Sequence, residues 1–249
     1  MKNYPVFGSF GAESGGSVTV DTELSSVSEN PVQNKAIAAA ITNPNLLINP
    51  DFKINQRGQT EYSEASGYCV DGWYRNTAAT VIPLESGGIS VSYSGEINPS
   101  IYQKIENSQF LCGKTVSISV STNGASYCTT GVLPDDLSAN TTYSLFARLD
   151  GSTDIPENLT SHIRLQVYNG NFLFVINNIT KIDSVKLELG LIATQFIPPD
   201  PATELTKCQR YYQIRTTGDV DPIDLRPSMR ITPTVTLLDN GNYAYNAEL

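Results

Sequence analysis

The sequence predicts a mainly β protein. Its core is a jelly-roll-like antiparallel β-sandwich that follows a short N-terminal helix and precedes a small C-terminal β unit. Six or more short runs alternate apolar and polar residues with a period of two, which is the pattern of half-buried strands. Turn sequences separate the runs, among them Ser86-Gly-Gly, Asn123-Gly and Asn169-Gly-Asn. Together these two observations favour an all-β body.

Residues 1–23 contain several Gly and Ser residues and have no sustained periodicity. A segment of this composition does not fold compactly alone, so we expect a flexible arm that becomes ordered against a partner. The side chains expected to dock there are Tyr4, Val6, Phe7 and Phe10.

Residues 24–44 are expected to form a linker and one short helix. Asn30 suits the N-cap, Pro31 suits the first helical position, and Gln33 has the spacing of a capping box. Pro44 ends the helix. A helix of about ten to twelve residues is marginal in water by itself, so it must pack against something.

Two partners for this helix remain open: the β body of its own chain, or two further copies of the helix in a trimeric bundle. Small alanines in the apolar stripe would permit the close approach that a bundle needs. The residues expected to form the trimer contact are Leu24, Val27, Val32, Ala36, Ile37, Ala40 and Ile41.

Residues 45–201 form the predicted sandwich. Its strands are expected where the alternation is clearest, at 89–93, 115–120, 143–149, 162–168, 172–176 and 184–189. Residues 202–249, after Pro198-Pro199-Asp200-Pro201, are expected to form the small C-terminal β unit, with a last strand at 231–238. This unit is too short to own a full core, so it should lean on the sandwich or on other copies of the chain.

Charge and composition exclude several kinds of partner and cofactor. The chain has 16 basic and 25 acidic residues and a formal net charge of −9, which disfavours nucleic acids and anionic membranes. No apolar run approaches the roughly 18 residues of a membrane span, so we expect no membrane insertion. Four dispersed cysteines and one histidine indicate free thiols and no zinc site, and we expect no metal or other cofactor.

Three groups of residues, in this order along the chain, resemble the fibre proteins of tailed bacteriophages. Ser28–Lys35 resembles a linker of head and tail fibres. Residues 45–52, with Asn55–Gly58 and Asp71–Trp73, resemble the opening of their carbohydrate-binding-like sandwich. The last group comprises Gln103–Glu106, Gly113–Ser119, Lys186–Gly190, Ala193–Pro201 and Cys208–Tyr212. At Gly72 that family often carries Arg, so a structural ion pair is expected to be missing here.

The resemblance implies a non-enzymatic, homotrimeric protein on the virion surface that is assembled in the cytoplasm of the bacterial host. Its N-terminal arm would bind the major capsid protein or another virion protein. The preferred interpretation is a capsid-attached head fibre or decoration that adheres to host-cell or environmental glycans. A tail fibre or receptor-binding protein remains an alternative, and a tail-associated glycan hydrolase is an alternative of another class.

Neutral polar residues and tyrosines favour sugar binding over catalysis. Aromatic rings cover the C–H faces of sugars, while amides and carboxylates bind the hydroxyls. The candidate residues for such a platform are Asp71, Trp73, Tyr74, Tyr102 and Tyr127. For hydrolysis the formal carboxylate pairs are Asp135 with Asp136 and Glu61 with Glu64, but both lie in turn-like polar surroundings. His162 lies in an alternating strand and is expected to be structural, so no catalytic residue is expected.

Overall fold

A computed structural model describes residues 19–21, 43–94, 99–138, 142–157, 160–216 and 228–249. Thr42–Leu249 is one compact unit, here called the β unit, and every element below belongs to it. The expected docking residues and trimer-contact residues lie outside the described residues. So does the expected helix from Asn30 to Ile41.

The β unit contains fifteen strands, one α-helix and one 3-10 helix among its described residues. The helices are α1 (Pro201–Gln209) and the 3-10 helix Ser108–Leu111. The strands are β1 (Gly67–Tyr68), β2 (Tyr74–Arg75), β3 (Ala79–Pro83), β4 (Ile89–Tyr93), β5 (Ser100–Lys104), β6 (Thr115–Thr122), β7 (Ala125–Val132), β8 (Thr142–Arg148), β9 (His162–Tyr168), β10 (Asn171–Asn177), β11 (Lys181–Ile182), β12 (Ser184–Leu189), β13 (Tyr212–Arg215), β14 (Thr234–Leu237) and β15 (Tyr243–Asn246).

The strands form four antiparallel sheets. The largest has six strands in the order β1-β2-β5-β10-β9-β8, and the others have the orders β11-β4-β3, β12-β6-β7 and β13-β15-β14. Neighbouring pairs throughout the described residues are antiparallel, so the mainly β prediction is confirmed. The arrangement is compatible with a β-sandwich.

One apolar core joins the first three sheets. It contains Phe172, Phe174 and Ile176 from one face of β10, and Val116 and Ile118 from β6, all fully buried. Alternation along these strands therefore selects the core face, as the sequence pattern predicts.

Strand ends follow the turn residues read from the sequence. Asn123 and Gly124 both have positive φ (50° and 79°), as do Asn169 and Gly170 (47° and 71°). Each pair links two adjacent antiparallel strands, β6 to β7 and β9 to β10, as expected for two-residue hairpin loops that need positive φ at both positions.

Helix α1 lies at the start of residues 202–249, for which the sequence predicts only a small C-terminal β unit. Asp200 caps it, since its carboxylate accepts a hydrogen bond from the Thr203 N–H at 2.8 Å, and Pro201 occupies the first turn. Glu204 and Cys208 point into the protein and are buried. The C-terminal region is thus a helix followed by a three-stranded sheet.

The small sheet β13-β15-β14 has its own apolar cluster of Met229, Tyr245 and Ala247, with Tyr243 packed on it. The C-terminal region also contacts the end of the six-stranded sheet of its own chain. Arg210 Nη2 donates to Glu106 Oε1 at 3.0 Å, and the Tyr211 hydroxyl donates to Glu106 Oε2 at 2.6 Å. The Glu106 carboxylate therefore joins the end of β5 to the loop after α1.

A buried ion pair on the face of β12 opposite the core binds the segment 193–196. Lys186 Nζ lies 3.1 Å from Glu188 Oε2, and both side chains are at most 3% exposed. Thr194 bonds both groups: its N–H donates to Glu188 Oε1 at 2.7 Å, and its hydroxyl oxygen accepts from Lys186 Nζ at 2.5 Å. The pair thus fixes the segment 193–196 over the sheet.

Candidate functional site

The opening motif, which comprises residues 45–52, Asn55–Gly58 and Asp71–Trp73, is centred on Asn49. This residue is fully buried and has a φ of 50°. Its side-chain amide donates to the carbonyls of Ile54 and Asp71 at 2.8 and 3.0 Å, and its Oδ1 accepts from the Ile54 N–H. Its backbone carbonyl accepts from Trp73 Nε1 at 3.0 Å. These contacts make the motif a structural hub.

Trp73 and Asp71 belong to this hub. Their prediction as residues of a ligand platform is therefore wrong. Trp73 is 0% exposed and packs against Phe52 and Phe174. Asp71 is 1% exposed, and its carboxylate accepts from the backbone and side-chain N–H groups of Gln56 at 2.6 and 2.8 Å. Burial raises the pKa of Asp71, while the bonds from Gln56 act in the opposite direction. Neither side chain offers a surface to a ligand.

A second cluster joins the opening motif to the last residues. Arg57 lies 3.8 Å from the ring centroid of Tyr212 and 5.7 Å from that of Tyr68, and forms an ion pair with Glu248 at 2.5 Å. Burial raises the pKa of Glu248 to about 7, against the opposing effect of Arg57. The Tyr68 hydroxyl donates to the Leu249 carbonyl at 2.5 Å. The cluster fixes the Tyr68 ring in place.

Three tyrosines form a row across one edge of the six-stranded sheet, on the face opposite the core. Tyr68 pairs with Tyr74, and Tyr74 pairs with Tyr102, in the register of β1, β2 and β5. The Tyr74 and Tyr102 rings stack at 4.9 Å with 28° between planes, and Tyr68 meets Tyr74 edge-on at 5.3 Å. All three side chains are half-buried. We call Tyr68, Tyr74 and Tyr102 the tyrosine row.

Beyond Tyr102 the same face of the sheet continues with two buried residues, Val175 and then Arg164. Tyr102 pairs with Val175, and Val175 pairs with Arg164, so Arg164 lies two strands beyond Tyr102 on the same face. At about 4.8 Å a strand, the line from Tyr68 to Arg164 spans about 19 Å. Arg164 Nε donates to Gln166 Oε1 at 2.6 Å, which orients the half-buried amide of Gln166 on β9, two strands beyond the strand of Tyr102. The face therefore combines aromatic rings with planar polar groups.

His162 is held between Arg164 and the Thr160 carbonyl. It is 1% exposed, Arg164 Nη1 lies 3.1 Å from its Nε2, and its Nδ1 lies 2.9 Å from the Thr160 carbonyl. Because a guanidinium only donates, Nε2 accepts and Nδ1 carries the proton of a neutral imidazole. Burial, helped by Arg164 and Arg148 and opposed by the bond to Thr160, lowers the pKa of His162 to about 4. The imidazole helps to orient Arg164.

The remaining candidates do not join the tyrosine row. Tyr127 lies on β7, in the sheet β12-β6-β7, and packs against the main core. The carboxylates of both formal hydrolase pairs are exposed, and Asp136 accepts from the Ser138 N–H and hydroxyl, which lowers its pKa. Among the residues that the structure describes, no group of three or more His, Cys, Asp or Glu side chains could hold a metal ion.

The sequence predicts Tyr74 and Tyr102 as platform residues, and the structure brings them together. The predicted platform does not include Tyr68, the third ring of the row, nor Gln166 and Arg164. Each of these lies at an outward position of a strand, which the alternation could have indicated. That they share one face depends on the order β1-β2-β5-β10-β9, which no local pattern encodes.

Comparisons with known proteins gave no relative: no family model matches, and no curated protein or solved structure does. None of the described helices is long and apolar enough to cross a membrane.

Proposed function

We propose that the chain is a structural protein of a tailed-phage virion, a homotrimeric capsid-attached head fibre whose β unit, of jelly-roll type, binds glycans at the tyrosine row. The single observation that carries the binding function is the stack of Tyr74 on Tyr102 beside Tyr68, on the sheet face opposite the core. The virion role comes from the order of fibre-like motifs along the chain.

The tyrosine row has the chemistry that a sugar chain requires. Aromatic faces bind the C–H patches of pyranose rings, and phenol and amide groups bind their hydroxyls. Desolvation by burial raises the pKa of Tyr102 to about 12, so its hydroxyl keeps its proton at neutral pH and can both donate and accept. Tyr68, Tyr74 and Tyr102 follow one another over two strand spacings, about 10 Å, which is long enough for two sugar units in a line.

Trimerisation through residues 24–44 would make weak glycan binding effective. Three linked copies convert the second and third binding events into intramolecular ones, so overall avidity exceeds single-site affinity by orders of magnitude. In this proposal residues 1–23 bind the major capsid protein or another virion protein.

The binding proposal is tested by applying the full chain to a glycan array, together with variants Tyr74→Ala and Tyr102→Ala. We expect each variant to lose the signal on glycans that the unaltered protein binds. Alanine removes the aromatic ring on which the C–H face of a sugar would stack. Phe110→Ala is the matched control, since Phe110 is an exposed aromatic residue (46%) on the 3-10 helix. Equal binding by Tyr102→Ala and Phe110→Ala would contradict the proposal.

The virion placement is tested by antibody against the β unit on imaged virions. Label on the capsid supports the head fibre, and label confined to the tail supports the tail-fibre alternative. Release of reducing sugar from host capsule, lost in Asp135→Asn or Glu64→Gln, would instead support the tail-associated glycan hydrolase. A trimer in light scattering that persists after deletion of 24–43 would refute the bundling role of that segment.

A further inference from the structure

The sheet β12-β6-β7 carries an open trough of about 400 Å³ on the face opposite its core. Four serines line it, together with the segment 193–196 that the Lys186–Glu188 pair holds over the sheet. We call it the serine trough: Ser119, Ser121, Ser126 and Ser184, with Cys128, Gln195 and Phe196. Its volume lies in the range of small-molecule sites in proteins.

Strand register places three of these serines in one line across the sheet. Ser184 pairs with Ser121, and Ser121 pairs with Ser126, so their Cβ atoms lie about 5 Å apart from strand to strand. Ser119 lies on the same face, opposite Cys128. The line presents a row of groups that can each donate and accept a hydrogen bond.

The hydroxyls of this line have no hydrogen-bond partner among the described residues. Ser117, the next outward serine of β6, behaves differently, since it bonds Thr130 Oγ1 at 2.7 Å and the Gly190 carbonyl at 3.0 Å. Ser184 as a residue is 8% exposed, and its unpartnered hydroxyl faces the open space of the trough.

The trough is uncharged, which decides the class of ligand. None of the described residues that line it carries a carboxylate or a cationic group, and the nearby Lys186 ammonium is bound by Glu188, Thr194 and the Gln195 carbonyl. A charged ligand would therefore find no counter-charge. Phe196 adds a ring to the wall, and the exposed Gln195 side chain adds a planar amide at the rim.

We propose that the serine trough is a second ligand site, for one neutral sugar unit such as a hexose. The serine hydroxyls bind sugar hydroxyls, and the Phe196 ring covers a C–H face of the sugar. The trough lies on a different sheet from the tyrosine row, so this site goes beyond the glycan binding proposed above and does not depend on it.

Cys128 provides the test, because its exposed thiol lines the trough while Cys112 is half-buried elsewhere. The full chain is alkylated with iodoacetamide in the presence of glucose, galactose, mannose or N-acetylglucosamine at increasing concentration, and both thiols are followed by mass spectrometry. We expect at least one sugar to slow alkylation of Cys128 several-fold in a saturable manner, with the Cys112 rate unchanged. Glucuronate, the charged analogue, should protect less than glucose.

Two variants separate the sites. Ser126→Phe, at an exposed position, should fill the trough and abolish protection of Cys128, as shown by equal rates with and without sugar. Tyr102→Ala should leave protection intact even if it removes polysaccharide binding, so failure of the tyrosine row and failure of the trough are distinguishable. Alkylation of Cys128 that no tested sugar slows, or protection that survives Ser126→Phe, would overturn the proposal.

Discussion

The backbone N–H of Asn49 donates to Glu204 Oε1 at 2.6 Å, which joins residues 155 positions apart in the sequence. Glu204 is 1% exposed on the buried face of α1, and Lys207, one turn later, binds its other oxygen at 2.9 Å. Because Asn49 also holds Trp73, Asp71 and Ile54, this bond attaches the helix to the residues that hold the first strands. The opening motif and the C-terminal region therefore fold as parts of one network.

Asn49→Ala should destabilise the β unit by about 3 kcal/mol or more relative to Asn123→Ala. Both asparagines have a φ of 50°, so the backbone cost of alanine is the same in the two variants. Only Asn49 has buried side-chain bonds, and its loss leaves the carbonyls of Ile54 and Asp71 and the Ile54 N–H without partners, at about 1–3 kcal/mol each. Urea denaturation followed by tryptophan fluorescence measures the difference. Equal midpoints for the two variants would contradict the hub.

Gly88→Ala should cost about 2 kcal/mol more than Gly124→Ala. The two glycines have nearly equal φ, 81° and 79°, so alanine is strained to the same degree at both. A Cβ at Gly88 would lie 2.6 Å from the Ile182 carbonyl oxygen, whereas a Cβ at Gly124 meets nothing within 4 Å. The β4–β11 pair must therefore shift in the first variant alone. Thermal unfolding by circular dichroism compares them, and equal melting temperatures would refute the close contact.

Acid should destabilise the native state through His162. Its pKa is lowered to about 4 from an ordinary 6.5, so the contribution is fully present above pH 6.5 and is lost as pH falls towards 4. The difference between the two pKa values corresponds to on the order of 3 kcal/mol. His162→Gln keeps a donor and an acceptor without titrating, so the stability difference between the two proteins should change across this window. Since the chain has one histidine, its imidazole NMR signal reports the pKa directly; a value near 6.5 would contradict the burial argument.

Glu248 should act in the opposite direction. Burial raises its pKa from 4.5 to about 7, so its contribution is present below pH 4.5 and is lost as pH rises through 7. The stability of the unaltered protein relative to Glu248→Gln should therefore fall across this window, by on the order of 3 kcal/mol. Glu61→Gln removes an exposed carboxylate and controls for the change in net charge. Urea midpoints between pH 4.5 and 8 provide the measurement, and parallel profiles for Glu248→Gln and the unaltered protein would exclude the effect.

Local patterns predicted those elements whose cause is local. The bounds of β4, β9 and β12 coincide with the alternating runs at 89–93, 162–168 and 184–189, because one face of each packs on the core. Strand β7 was missed, since Ala125–Val132 is largely exposed and weakly apolar. Helix α1 was missed although Asp200-Pro201 is a cap followed by a first-turn proline.

The candidate site was harder to predict because it depends on strand order. Tyr74 and Tyr102 are 28 positions apart and meet only because β2 pairs with β5. Trp73 is the immediate neighbour of Tyr74, yet it points to the opposite face and is fully buried. Adjacent residues where the chain enters β2 therefore have opposite roles, and the strand register decides which of them faces away from the core.

The chain enters the β unit along the edge of β12, and this has a mechanical consequence. Asn43 Nδ2 donates to the Leu189 carbonyl at 2.9 Å, Asn45 binds the Val185 carbonyl and the Leu187 N–H, and the Leu46 N–H donates to the Leu187 carbonyl. Tension applied to the chain at Asn43 therefore meets four hydrogen bonds to the edge strand β12 before it reaches the core. A pull on this end of the β unit would therefore be shared among several bonds to one strand and would not fall on a single contact.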